Sequence, residues 1–253
     1  MYISIMKKPF FYRGLYYAAG LLLLALGISL NTKSGLGVSP IISVSYSISS
    51  IWNLNFGDMT FILYSIFVLV EMCLHIVRNK KYSARGGQVL AHANRTNLKL
   101  VLLMDVLQLP LSLVFTRFLN LFSDRIPEFE TAYAGSFLGS FAGRILILLF
   151  AIALTGAGAA MSLNMRVIPN PGDGIVQAIA DCTGWKVGFT KNCFDLLNIS
   201  VTIAVSLLFA GHLTGIGLGT VIAVIGVGRV IAVFNHLTQE KMLSLAGMAE
   251  TCM

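Results

Sequence analysis

A chain of 253 residues with 56% hydrophobic residues, 11% charged residues and a mean hydropathy of +0.80 carries more apolar surface than one soluble core can bury. Lipid must cover much of it, which excludes an ordinary soluble enzyme or binding module. The net charge of +7 does not indicate nucleic acid: six of the 18 basic residues (Arg78, Lys80, Lys81, Arg85, Arg95, Lys99) share one loop between apolar stretches, and no zinc finger, helix-turn-helix or aromatic-basic groove accompanies them.

In chain order, the first apolar stretch, 14–31, follows Lys7, Lys8 and Arg13. It resembles a signal peptide, but no A-x-A site follows it, so it is read as a retained span. A short polar stretch, 39–51, opens at Ser39-Pro40. Span 59–77 leads into the basic loop 78–99, and span 100–122 carries Asp105 and a kink or break at Pro110. The connection 123–144 holds Gly135, Gly139 and Gly143, whose four-residue spacing predicts a close-packing helix face. Span 145–163 precedes a second short stretch, 171–183, opening at Asn170-Pro171, and spans 190–210 and 216–236 complete the chain. Crossing a bilayer takes about 20 helical residues. The predicted fold is therefore all-α and polytopic, with about six transmembrane helices plus two short re-entrant or half helices.

Placing both the N-terminal basic group and the 78–99 loop in the cytoplasm requires 39–51 to dip in and return on the outer side. Connections 123–144 and 211–215 then lie outside, 164–189 lies inside with Arg166 and Lys186, and both termini are cytoplasmic. Sliding the chain along itself, without a gap, until Arg13 falls on Arg144 also aligns Gly27 with Gly158, Pro40 with Pro171 and Gly57 with Gly188. Residues 1–122 and 145–253 thus form two repeats of three spans and a short helix, joined by an outer connection at 123–144. Three spans are an odd number, so the halves insert with opposite orientation, giving an inverted internal repeat.

Ser39 and Asn170 suit N-caps, and Pro40 and Pro171 suit the first helical position. Entering from opposite faces, two such starts would converge their free N–H groups on an anion or polar group; the alternative is that they only begin helices at the membrane surface. Asp173, Gln177 and Asp181 share one face of the second short helix, while Tyr46 and the serines Ser39, Ser43 and Ser47 form polar stripes on the first. Asp173 either caps its own helix or supplies a carboxylate to a cavity, and the roles are compatible. Asp105 and Arg229 lie inside apolar spans, so an Asp105–Arg229 or Asp173–Arg229 pair is expected for charge coupling or structure; Glu71 and Asp195 are weaker candidates of the same kind. Gly219 with Ala223, and Gly228 with Ala232, extend the small-residue faces through which helices pack and a homo-oligomer could form.

Cys73, Cys182, Cys193 and Cys252 are scattered and read as free thiols; His75, His92, His212 and His236 lack ligand spacing, so no metal site or cofactor is expected. Hydrolase and metalloprotease motifs are missing, and Gly215, Gly217 and Gly219 lack the lysine of a phosphate loop. The expectation is that the protein is not an enzyme.

Gly35-Leu36-Gly37-Val38-Ser39-Pro40, Pro171-Gly172-Asp173-Gly174, and Gly217-Leu218-Gly219-Thr220 with Val227-Gly228 resemble the YczE/YyaS/YitT-type family of uncharacterised bacterial membrane proteins. The resemblance covers most of the chain and implies a bacterial inner-membrane location with no settled substrate. Of the Pro-Trp-Asp turn it implies, the second half keeps proline and acid, and the first keeps only Pro40. The functional expectation is a transporter or channel for a polar or anionic small solute, with the solute held by Ser39, Pro40, Ser43, Tyr46, Asn170, Pro171, Asp173 and Gln177. The paired half-helices loosely resemble those of aquaporins. The alternative is a non-transporting scaffold or regulator that docks through the 78–99 loop.

Overall fold

The computed structural model describes residues 2–84 and 98–248, with side chains for 9–80 and 98–248. Arg85, Arg95, His92, Cys252 and the side chains of Lys7, Lys8 and Lys81 lie outside that range. Among the described residues the chain is helical throughout: α1 (Tyr2–Lys33), α2 (Pro40–Ile51), α3 (Phe56–Ala84), α4 (Leu98–Arg125), α5 (Phe129–Ala132), α6 (Phe141–Asn164), α7 (Pro171–Thr183), α8 (Val187–Phe209) and α9 (Leu218–Leu245). Six of these (α1, α3, α4, α6, α8, α9) contain stretches long and apolar enough to cross a membrane. The protein is a multi-pass membrane protein.

The helix ends follow local chemistry. Each short helix starts at its proline after an extended residue, Ser39 or Asn170. Asn170 Oδ1 accepts from the Gly172 N–H at 3.4 Å, whereas the Ser39 side chain makes no capping bond. Left-handed backbone follows both helices, at Asn53 (φ 51°) and at Gly184 (φ 77°), which caps α7. A second such pair precedes them, Gly35 (φ 68°) and Arg166 (φ 47°). Both pairs are separated by the same offset that places Pro40 on Pro171, so the turns of the two halves coincide in backbone as well as in sequence.

Packing repeats the correspondence. α1 and α6 cross antiparallel: a Cβ on Gly20 would lie 2.7 Å from Ser162 N, and one on Gly27 would lie 2.6 Å from Thr155 N. Only glycine lets these backbones touch. α2 packs along α8, and α7 along α3. Arg13 of α1 donates from Nε to the Met165 carbonyl at 2.9 Å and from Nη2 to the Arg166 carbonyl at 2.8 Å. Its counterpart Arg144, in α6, lies against Gly35 and pairs with Glu130.

Of the kink or break expected at Pro110, the break does not occur, since α4 is continuous there. One further local expectation is corrected. Gly135, Gly139 and Gly143 form no helix face, because α6 begins only at Phe141; Gly135 sits in a turn, and Gly139 and Gly143 allow the connection to fold tightly on Tyr133 and Phe137.

Candidate functional site at the junction of the short helices

α2 and α7 meet by their first turns, since a Cβ on Gly172 would lie 2.5 Å from Ile41 Cδ1. They then point away from each other. α2 turns back antiparallel to α3 through the Ser45–Thr60 hydroxyl pair at 3.1 Å and the edge-on Tyr46–Phe56 contact, while α7 runs with α3, as Gly174 against Glu71 and Asp181 against Arg78 show. Two helix starts, each carrying a partial positive charge, are therefore held close together inside the bundle.

Polar groups gather on the α7 side. Tyr64 of α3 is fully buried, with its hydroxyl beside the Asn170 side chain. Asp173 is partly buried and interacts electrostatically with Lys191 and Asp195 of α8, which pair with each other at 3.3 Å. Asp195 Oδ1 is buried without a hydrogen-bond partner. Ile42, Ile175, Val176, Phe67 and Phe194 close the rest of the junction with apolar packing.

Ser39, Pro40, Asn170, Pro171 and Asp173 thus belong to one region, but the other expected contacts separate. Ser43 is bound to Thr202 of α8 (2.7 Å) and to the Pro40 carbonyl (2.7 Å), and Ser47 to Ser206 (2.8 Å). These hydroxyls serve α2–α8 packing. Tyr46 lines a recess of about 420 Å³ with Gly37, Val38, His212 and Gly215, on the approach to the start of α2. Gln177 is exposed and donates to Asp181 at 2.8 Å. Each lies six residues beyond its helix start, about 9 Å along a helix that leads away from the junction. Tyr46 and Gln177 therefore stand on opposite sides of the junction and not together at one point.

The expected ion pairs with Arg229 are not formed. Arg229 is exposed on α9, which packs on α6, whereas α4 packs on α3 and α1 and turns Asp105 towards α3. Asp173 has Lys191 nearby instead.

Asp105 belongs to a buried cluster that the sequence did not announce. His75 Nε2 lies 3.6 Å from Glu71 Oε1 and 4.0 Å from Asp105 Oδ2, and Gln108 Nε2 donates to Glu71 Oε2 at 3.1 Å. Gly174 sits directly on this cluster, where a Cβ would come within 2.6 Å of Glu71 Oε2. The available signal was an acid and a histidine one turn apart inside an apolar span, followed in the next span by Asp105 and Gln108 at three-residue spacing.

Two Bacillus subtilis (strain 168) proteins are similar over nearly the whole chain. One, described as uncharacterized protein YyaS, is 26% identical over 230 residues, covering 91% of this chain and 96% of its own. The other, described as uncharacterized membrane protein YczE, is 25% identical over 229 residues, covering 89% and 86%. No solved structure shows a significant match. With residues 11–236 matched, the chain belongs to a family of unknown function (DUF6198).

Proposed function

We propose that the protein is a transporter or channel for a small polar solute, with its site where α2 and α7 meet. The observation that carries this reading is the contact of their first turns beside Asn170, Tyr64, Asp173 and Lys191. Helix starts brought together within a membrane offer unpaired N–H groups to a solute, and polar backbone at that depth is tolerated where it lines a cavity or packs in protein. The coincident turns, the antiparallel α1–α6 crossing and the exchanged α2–α8 and α7–α3 packing support an inverted repeat, and such repeats suit alternating access around a central site. In this reading the recess at Tyr46 is the outer approach, Gln177 stands on the inner one, Asp173 carries charge coupling, and both termini lie on the cytoplasmic face of a bacterial inner membrane. The exposed Gly228–Ala232 face of α9 is open to a second copy.

The test is a thermal-stability screen of the purified protein against anions, amino acids, organic acids and sugars, run beside Asp173→Asn. A ligand at about 100 times its dissociation constant adds roughly 2.7 kcal/mol. A saturable shift weakened in the variant supports the site and directs flux assays. If a well-folded sample responds to no compound, the solute reading fails in favour of a scaffold. In a variant lacking its native cysteines, a cysteine at Ser83 should resist impermeant labelling from outside intact cells; labelling there sinks the topology.

A further inference from the structure

We propose that Glu71, His75 and Asp105, with the Gln108 side-chain carbonyl, form a binding site for a divalent transition-metal cation between α3, α4 and the first turn of α7. The proposal goes beyond transport and does not depend on it, because binding requires only the cluster.

The first ground is an excess of acceptors. Glu71 and Asp105 are both 3% exposed, and Gln108 is fully buried. Asp105 Oδ2 and Gln108 Oε1 have no hydrogen-bond partner, and the Gln108 amide is fixed against Glu71 by its other end, the Nε2 bond of 3.1 Å. His75 is too far from either carboxylate, at 3.6 and 4.0 Å, to satisfy them by hydrogen bonding. Among the described residues, no lysine or arginine pairs with Glu71 or Asp105: Lys191 serves Asp195 and Arg78 serves Asp181. Two carboxylates buried inside apolar spans call for a cation.

The second ground is geometry and donor type. One ligand atom each from Glu71, His75 and Asp105 lies within 4.8 Å of the others. Metal–ligand bonds of about 2.1 Å place neighbouring tetrahedral ligands about 3.4 Å apart, so a closure of up to about 1.5 Å completes the site. Imidazole with carboxylates selects manganese, iron, cobalt or zinc over sodium or magnesium, and two carboxylates match a divalent charge. Gly174 brings the start of α7 onto the Glu71 carboxylate, so a bound ion would sit beside the helix that opens the proposed solute junction.

The experiment titrates purified, chelator-treated protein with Mn²⁺, Co²⁺ and Zn²⁺, following calorimetry and thermal stability, with the visible absorption of Co²⁺ reporting coordination. The expected result is a single saturable site whose affinity falls at least about tenfold in Glu71→Gln and His75→Asn, with the Co²⁺ band lost in His75→Asn. Asp58→Asn, at the exposed Asp58–Arg117 pair, should bind like the wild type. Wild-type protein that binds none of the three metals overturns the proposal, including when its stability responds only to pH, which assigns the cluster to a shared proton. Binding unchanged in two folded variants also overturns it. Should a variant fail to fold, the wild-type titration and the Co²⁺ band decide. A positive result here with a silent solute screen leaves the metal site standing and the transport reading refuted.

Discussion

The α2–α8 and α3–α7 interfaces occupy matching positions in the two halves but are built from opposite chemistry. Ser43 and Ser47 meet Thr202 and Ser206 through neutral hydroxyl pairs. Under the shift that carries Pro40 onto Pro171, the two serines become Gly174 and Ala178, while the residues shifted onto Thr202 and Ser206 are Glu71 and His75. One interface satisfies its own polar atoms and is complete. The other leaves Asp105 and Gln108 acceptors unmatched and reserves space with a glycine. A self-satisfied zipper needs nothing further, whereas an unmatched buried cluster is costly unless it serves a purpose.

That contrast predicts substitutions of different size and sign, all read as thermal unfolding in detergent with metals chelated. Gly174→Val should have the largest effect, a loss of about 3 kcal/mol, because its side chain drives α7 off the Glu71 carboxylate. Wild-type stability in that variant would break the proposed contact. Ser43→Ala should cost about 1 kcal/mol, as one hydroxyl pair is lost. Glu71→Gln should go the other way and raise the melting temperature, since it removes one of two uncompensated buried charges; Thr202→Val, at the matching position, should lower it. If both move together, the two interfaces do not differ as described. Gly188→Ala, with nothing within 4 Å of the added carbon, should gain up to about 1 kcal/mol of helix propensity, which Gly174→Ala should not. Arg78→Ala should change stability least, by less than about 1 kcal/mol, since its pair with Asp181 is solvent-accessible.

The short helices were the most legible part of the fold. The reading 171–183 matches α7, and 39–51 differs from α2 only at Ser39, because an extended residue followed by proline fixes each start and backbone near Asn53 and Gly184 ends each run. The long helices extend beyond their apolar windows, to Tyr2 in α1 and Leu245 in α9, since hydropathy marks what crosses lipid and not where hydrogen bonding stops. Side-chain partners were less legible. Asp105 and Arg229 are in corresponding spans, yet α4 and α9 pack on different neighbours, a choice that composition does not encode. Glu71 and His75 gain meaning only when α4 brings Asp105 and Gln108 alongside them. The serines of α2 were visible as a polar stripe, but whether a stripe faces a solute or another helix depends on Thr202 and Ser206, in the other half of the chain.

The partners of the reciprocal arginine contacts become available in a fixed order during synthesis. The break before α2 lies against Arg144, and the hydroxyls of α2 await Thr202 and Ser206, so a ribosome that has finished the first half has released only an incomplete one. The break before α7, by contrast, emerges to find Arg13 already waiting to bind the carbonyls of Met165 and Arg166. The later half can use the earlier one as a template as it leaves the ribosome, and the earlier half is finished last.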